Sequence, residues 1–426
     1  MIYPKRSFLR LLLFALIACC SHYALHSYNN PHFYQSFHIP DEPRFQKPWL
    51  TSIDVDLSGG RTSTGFNAHG LAVPVLDIYG FHNMHQLGSG VALRDPHNAL
   101  DTIITDLSLV PAHEPFGLLS YQGKFSTLEL NLTYTQNITH GFFLEANIPI
   151  RALCIDHIHV IDLTPDSGLY NKHTPEWQRF FESFDAILER YGLSQKPLRE
   201  THTGDTSLLF GWAINYQNTH VLDFIDMTIK TGILFPTGKK SDKNTLWALS
   251  WGYDKHWGVP LSCDIACGCY DWLSAGAHFD ILPFAQKTEI IRMKTAPAQS
   301  GLIKLAEGQA IIHHGSIVVA SVYLKADHLA RTLSFLTGYS YARKNKDTVI
   351  PINTHTFDLS IVNSDETFHA WTTHTLHIAL EYDFTKENNV LGPRLGFSIN
   401  IPVAGKRIFK TVMSDITFGL EISADI

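Results

Sequence analysis

The 426-residue chain is poor in charge: Asp, Glu, Lys and Arg make up 17% of it, where a soluble globular protein carries about a quarter. It contains no block of basic residues and its formal net charge is −7. Both features exclude a nucleic-acid binder, which needs a positive stripe to neutralise phosphates. No Walker or dinucleotide-binding pattern is present, and Gly88-Ser89-Gly90 is too short for a phosphate loop. After Cys20 no segment approaches the ~20 continuous apolar residues of a membrane helix; Ile317 to Leu324 is strand-length and interrupted by Ser321. Any mature form that crosses a bilayer must therefore do so as a closed β-barrel, because every backbone group there needs a partner.

Large apolar side chains are abundant. Apolar residues make up 45% of the chain, with 26 Phe, 16 Tyr and 8 Trp, so the chain can bury a large core and is not disordered. Lys5, Arg6 and Arg10 precede the apolar stretch Leu11 to Cys20, the charge and length pattern of a secretory signal. Cleavage is expected near Ser21. Leu16-Ile17-Ala18-Cys19 also resembles a bacterial lipobox, in which Cys19 would be lipidated.

From about residue 126 the chain alternates with the two-residue period of a strand. Leu208, Phe210, Trp212, Ile214 and Tyr216 share one face, and Leu376, Ile378, Leu380, Tyr382 and Phe384 share another. Asp264, Asp280, Glu381, Asp383 and Glu421 stand on the opposite faces of such segments and are the lumen-facing candidates. Counting stretches near 126–136, 142–151, 226–235, 245–253, 311–325 and 332–343 with the clearer cases gives about twelve strands, or fourteen with an extra hairpin. Their lengths suit the 9–11 residues of a tilted membrane strand. Tyr216, Tyr253, Trp272, Trp371 and Phe384 fall near strand ends, where interfacial girdles are expected. The expected organisation is a signal peptide over 1–21, a plug or constriction over 22–125 and a barrel over 126–426. One helix is expected from Pro175, capped by Thr174 and stopped at Gly192. A large soluble sandwich would alternate in the same way.

Candidate chemistry is sparse. Among the 24 histidines, His157/His159, His313/His314 and His374/His377 are the pairs to inspect as metal ligands, but no carboxylate or Cys stands at a familiar spacing beside them. On a strand His374 and His377 point to opposite faces. Cys263, Cys267 and Cys269 share parity and read as small lipid-facing hydrophobes, and a bridge to Cys154 remains open. Asp54 and Asp56 read as a solvated pair. No catalytic residue, cofactor or metal site is expected. The inward acids imply a mildly negative lumen, offset by Lys230, Lys325 and Arg343.

Two local patterns carry a resemblance. Gly204-Asp205-Thr206-Ser207-Leu208 and, one strand later, Phe235-Pro236-Thr237-Gly238 resemble the strand-turn pattern of the Gram-negative outer-membrane barrel family named for phenol meta-degradation. Gly419 before alternating Leu420 and Ile422 resembles the terminal signal read by the barrel assembly machinery, departing from it by ending in Ile426. The resemblance implies an outer-membrane barrel of the long-chain fatty-acid channel type, passing small, including hydrophobic, solutes by passive or facilitated diffusion. Its partners would be outer-membrane lipid, the assembly machinery and a small solute. The alternatives are a surface-binding or structural barrel without transport, and a lipid-anchored periplasmic β-sandwich that binds ligands.

Overall fold

The computed structural model describes residues 32–33, 50–88, 97–111, 115–217, 222–269, 272–330, 332–384 and 391–423. The signal peptide and Cys19 lie outside the described residues.

Twelve strands form the wall: β1 (Leu50–Thr62), β2 (Leu118–Thr139), β3 (Phe142–Asp162), β4 (Thr206–Gln217), β5 (Phe224–Phe235), β6 (Leu261–Cys269), β7 (Leu273–Leu282), β8 (Ile317–Ala330), β9 (Leu333–Lys344), β10 (Trp371–Asp383), β11 (Leu391–Lys406) and β12 (Val412–Ser423). Each pairs antiparallel with its neighbours in sequence, and β1 pairs with both β2 and β12, so the sheet closes with no free edge. Among the described residues no helix is long and apolar enough to cross a membrane.

The count of twelve agrees with the sequence, but the membership differs by one strand gained and one lost. Residues 50–62, expected within the plug, form the strand that closes the barrel, with Leu57 opposite Ile416 on one side and Leu130 on the other. Residues 245–253, expected as a strand, form a loop whose Trp247 and Trp251 are buried.

The two ends of the barrel are unlike. At the end where β1 begins and β12 finishes the connections are short; His140 and Gly141, both at positive φ, make the two-residue turn between β2 and β3. At the other end lie the long connections 63–117, 163–205, 236–260, 283–316 and 345–370. These pack together as a dome. Helix α1 (Ala99–Leu109) lies against α2 (Pro175–Glu182) and α3 (Phe184–Arg190), and Arg190 holds Asp101 through hydrogen bonds of 2.8 and 2.9 Å. The single helix expected from Pro175 is interrupted at Ser183, and the Thr174 side chain makes no capping bond. Ile104, Leu107, Trp177, Phe180, Phe184, Ile187, Trp247 and Trp251 share one apolar core with Phe33.

Strands β2 and β3 are 22 and 21 residues long, well beyond what a bilayer requires, and their faces invert partway. On β2 the inward positions run Thr133, Asn131, Glu129 and Thr127, then become Phe125 and Tyr121. The outward positions run Tyr134, Leu132, Leu130 and Leu128, then become Ser126, Lys124 and Gln122. Strand β3 follows suit, with inward Glu145, Asn147 and Arg151 giving way to Leu153 and Ile155. An apolar outside around a polar inside suits lipid; the reverse arrangement suits water around a packed dome. The inversion marks where the wall leaves the membrane.

Candidate functional site

The site has two parts, the lumen wall at membrane depth and a cavity beneath the dome. Strand parity sends every second side chain inward, and the inward set is ionic. Arg151 reaches Glu129 at 2.8 Å and donates a further bond to the Trp251 carbonyl. Lys230 stands 3.1 Å from Glu145, with Lys230 fully buried. His278 lies between two of the candidate acids, 2.6 Å from Asp264 through Nδ1 and 2.6 Å from Asp280 through Nε2. Glu381 accepts from Arg394 at 3.1 Å. Asp383 and Glu421 lie on β10 and β12, with side chains outside the described residues.

Several expectations are corrected here. Asp54 and Asp56, read as solvated, are buried inward on β1; Asp54 accepts from Ser52 at 2.9 Å and Asp56 from Thr417 at 3.0 Å. They look solvated in the sequence because the segment 22–125 that holds them reads as a plug, and only closure of the barrel buries their strand face. Arg343 points outward and is exposed, and its neighbour Lys344 is the inward cation. Tyr253 and Trp371 are buried under the dome and belong to no girdle, whereas Tyr216, Trp272 and Phe384 are exposed at the short-turn end. Cys154, Cys263, Cys267 and Cys269 are all free thiols.

A chain of hydrogen bonds crosses β9 to β12. The Ser340 hydroxyl donates to His377 Nε2 at 2.6 Å, His377 Nδ1 donates to Asn400 Oδ1 at 2.5 Å, and the Asn400 amide donates to Asp415. A serine, a base and an orienting group in this order have the geometry of a hydrolytic triad. Ser340 is nevertheless about 1% exposed, and the strands on either side use their amides in the β9–β10 and β10–β11 ladders. The chain links β9, β10, β11 and β12 through one buried polar network. His374, on the opposite face from His377, bonds the Tyr339 hydroxyl.

The cavity beneath the dome holds about 350 Å³. Phe33, Tyr79, Trp247, Trp371 and Phe409 supply aromatic surface, and Lys304, Lys344, Asp347, His256 and His314 supply polar groups. Burial pushes His32 down to about 3, assisted by Lys344, so the ring is neutral where it meets the Tyr79 hydroxyl at 2.9 Å. Burial would raise Asp347, but Lys344 at 2.6 Å and His314 at 3.1 Å hold it below the usual carboxylate range. Burial, then Lys344, lowers His314. Its ring stacks on that of His256 with centroids 5.0 Å apart. An aromatic box beside paired cations can hold a small amphipathic molecule.

Motif residues from the sequence meet above the wall. The Gly238 amide donates to Asp205 at 2.8 Å, and Thr237 donates to the Gly204 carbonyl at 2.8 Å.

No protein-family model and no curated protein sequence matches the chain. Among solved structures it is similar to an outer membrane channel from Pseudomonas putida F1, at 10% identity and a TM-score of 0.49, covering 90% of this chain and 99% of that one. The toluene transporter TbuX from Ralstonia pickettii gives 11% identity and a TM-score of 0.31, covering 88% and 90%. The translocator domain of the autotransporter NalP from Neisseria meningitidis gives 8% identity and 0.33, covering 90% and 91%. At these values the likenesses assign no activity. The chain's own closed wall and inverted faces define a transmembrane β-barrel.

Proposed function

We propose that this barrel is an outer-membrane channel for small amphipathic solutes, exported by its N-terminal signal and inserted by the barrel assembly machinery. The observation that carries the reading is the ionic inner wall enclosed by an apolar outer wall. Such an interior has no purpose in a merely lipid-filling barrel, since each buried charge costs free energy unless it is paired. A solute would enter through the aromatic cavity and pass the lumen only when the dome shifts, because Lys230, Glu129, Glu145 and His377 are all closed to solvent. Inward acids at Asp54, Asp56, Glu129, Glu145, Asp226, Asp264, Asp280 and Asp415 outnumber Arg151, Lys230, Lys325, Lys344 and Arg394. That excess favours cations and neutral solutes over anions. No catalytic role is assigned to any residue.

The closed lumen favours a second reading, a surface-binding barrel whose dome is the working part. Single-channel recording in planar bilayers separates the two. The wild type is expected to show brief cation-selective openings, and Arg190→Ala, which frees α3 from α1, to lengthen them several-fold. Silence from both proteins after verified insertion overturns the channel and selects surface binding.

A further inference from the structure

The outer wall carries a feature the channel reading does not use. Six exposed cations, Arg61, Lys124, Arg199, Arg343, Lys406 and Lys410, stand outside the barrel at the dome end. They occupy one side of it, on or beside the contiguous run β9–β10–β11–β12–β1–β2–β3. Register ties them together: Arg343 and Lys406 both face Thr372, while Arg61 faces Ser126, which faces Cys154, which faces Arg199 on the short strand Leu198–Thr203. Just toward the membrane from them lie the exposed apolar residues Leu57, Leu128, Tyr339 and Val403.

Four of these cations, Arg61, Lys124, Arg343 and Lys406, have no acidic partner among the described residues. Arg199 pairs with Asp156 at 2.8 Å, and Lys410 lies over the Phe66 ring. The rest of the circumference differs. There Lys239 is paired with Glu200, Lys255 donates to the carbonyls of Pro236 and Thr237, and Trp257 and Phe235 stand at the rim. At the short-turn end the outward positions carry Tyr134, Tyr216, Trp272 and Tyr382, and no Lys or Arg among the described residues. A groove of about 490 Å³ opens on the same side, lined by Lys124, Gln122, Thr64, Ser63, His157 and His159.

We propose that this half-ring of cations and its groove dock the phosphate-bearing headgroup of a membrane lipid in the leaflet at the dome end, with the acyl chains on the apolar wall beneath. Cations at the edge of the acyl layer meet lipid phosphates, which Arg binds through two parallel hydrogen bonds. The hydroxyls and amide at the groove suit a polyhydroxylated headgroup. The proposal rests on the barrel spanning a bilayer and is independent of conduction, so a silent channel leaves it standing.

The test is native mass spectrometry of the full-length protein in detergent, offered a bis-phosphorylated glycolipid or its dephosphorylated counterpart. The wild type is expected to retain the phosphorylated lipid in preference. The variant Arg61→Gln/Lys124→Gln/Arg343→Gln/Lys406→Gln should lose more than about a hundredfold in retention, and Lys239→Gln/Lys255→Gln should lose none. If the fourfold variant lacks heat-modifiable gel mobility, the doubles Arg61→Gln/Lys124→Gln and Arg343→Gln/Lys406→Gln take its place, each expected to lose more than about tenfold. Equal retention of the two lipids, or unchanged retention in the variants, overturns the proposal. So does complete displacement by millimolar inorganic phosphate, which would mark a site for free anions.

Discussion

The Asp205 carboxylate accepts the Gly238 amide at 2.8 Å and the Tyr253 amide at 2.7 Å, joining the start of β4 to the loop that follows β5. Burial raises Asp205 above the ordinary carboxylate range, and the two amides pull the other way. Replacing it with Ala leaves two buried amides without an acceptor, at about 1–3 kcal/mol each. Asp205→Ala is therefore expected to free loop 236–260, read as faster amide exchange at Gly238 and Tyr253 with the barrel still heat-modifiable. Gly252→Ala should act similarly, because its added methyl would overlap the Asp205 carboxylate.

The Lys230–Glu145 pair is buried at both ends. Lys230→Met alone strands a carboxylate in the wall and should cost about 3–5 kcal/mol. Adding Glu145→Leu should recover most of that loss. Urea unfolding in lipid vesicles measures both, and an unchanged single variant would show that the pair is not load-sharing in the closed lumen.

On the outside, Ile265 is exposed on the lipid face of β6, whereas Ser262 points inward and is fully buried. Ile265→Arg should destabilise the inserted barrel by about 2–4 kcal/mol if it lies near mid-bilayer. Ser262→Ala should stay within about 1–2 kcal/mol, the worth of a hydrogen bond. Equal effects would contradict the assignment of lipid and lumen faces.

Acid should loosen the dome before it affects the wall. Burial holds both His32 and His82 down to about 3, below an unfolded value of about 6.5. Their neutral forms support the dome fully above about pH 6.5, and that support drains away as pH falls toward 3. The opening constant of the dome should therefore rise by up to about tenfold per pH unit for each histidine in that window. Limited proteolysis of the loops between pH 7 and 4.5 checks this, and His82→Phe should flatten the dependence. His82 also packs edge-on against Tyr121 at 4.8 Å, so the Phe keeps its contact.

The wall was largely legible from alternation, and its two failures have physical causes. β1 is hard to read as a wall strand because Asp54, Asp56, Ser58, Gly59 and Gly60 leave it few apolar side chains, and its acids look solvated until the barrel closes over them. The stretch 245–253 imitates a strand because Trp247, Trp251 and Tyr253 share parity, yet all three pack under the dome. Period two records only that alternate side chains differ in environment. It does not say whether the apolar set meets lipid or a neighbouring loop.

The sequence by itself determined the antiparallel β class and the approximate number of wall strands, because these follow from the local pleat and its polarity. Only the tertiary structure decided which strand closes the barrel and where the faces of β2 and β3 invert. It also decided which loops enclose the cavity and which partner each buried charge takes. Those properties depend on contacts between residues far apart in the chain, such as Leu57 with Ile416, and no local period encodes them.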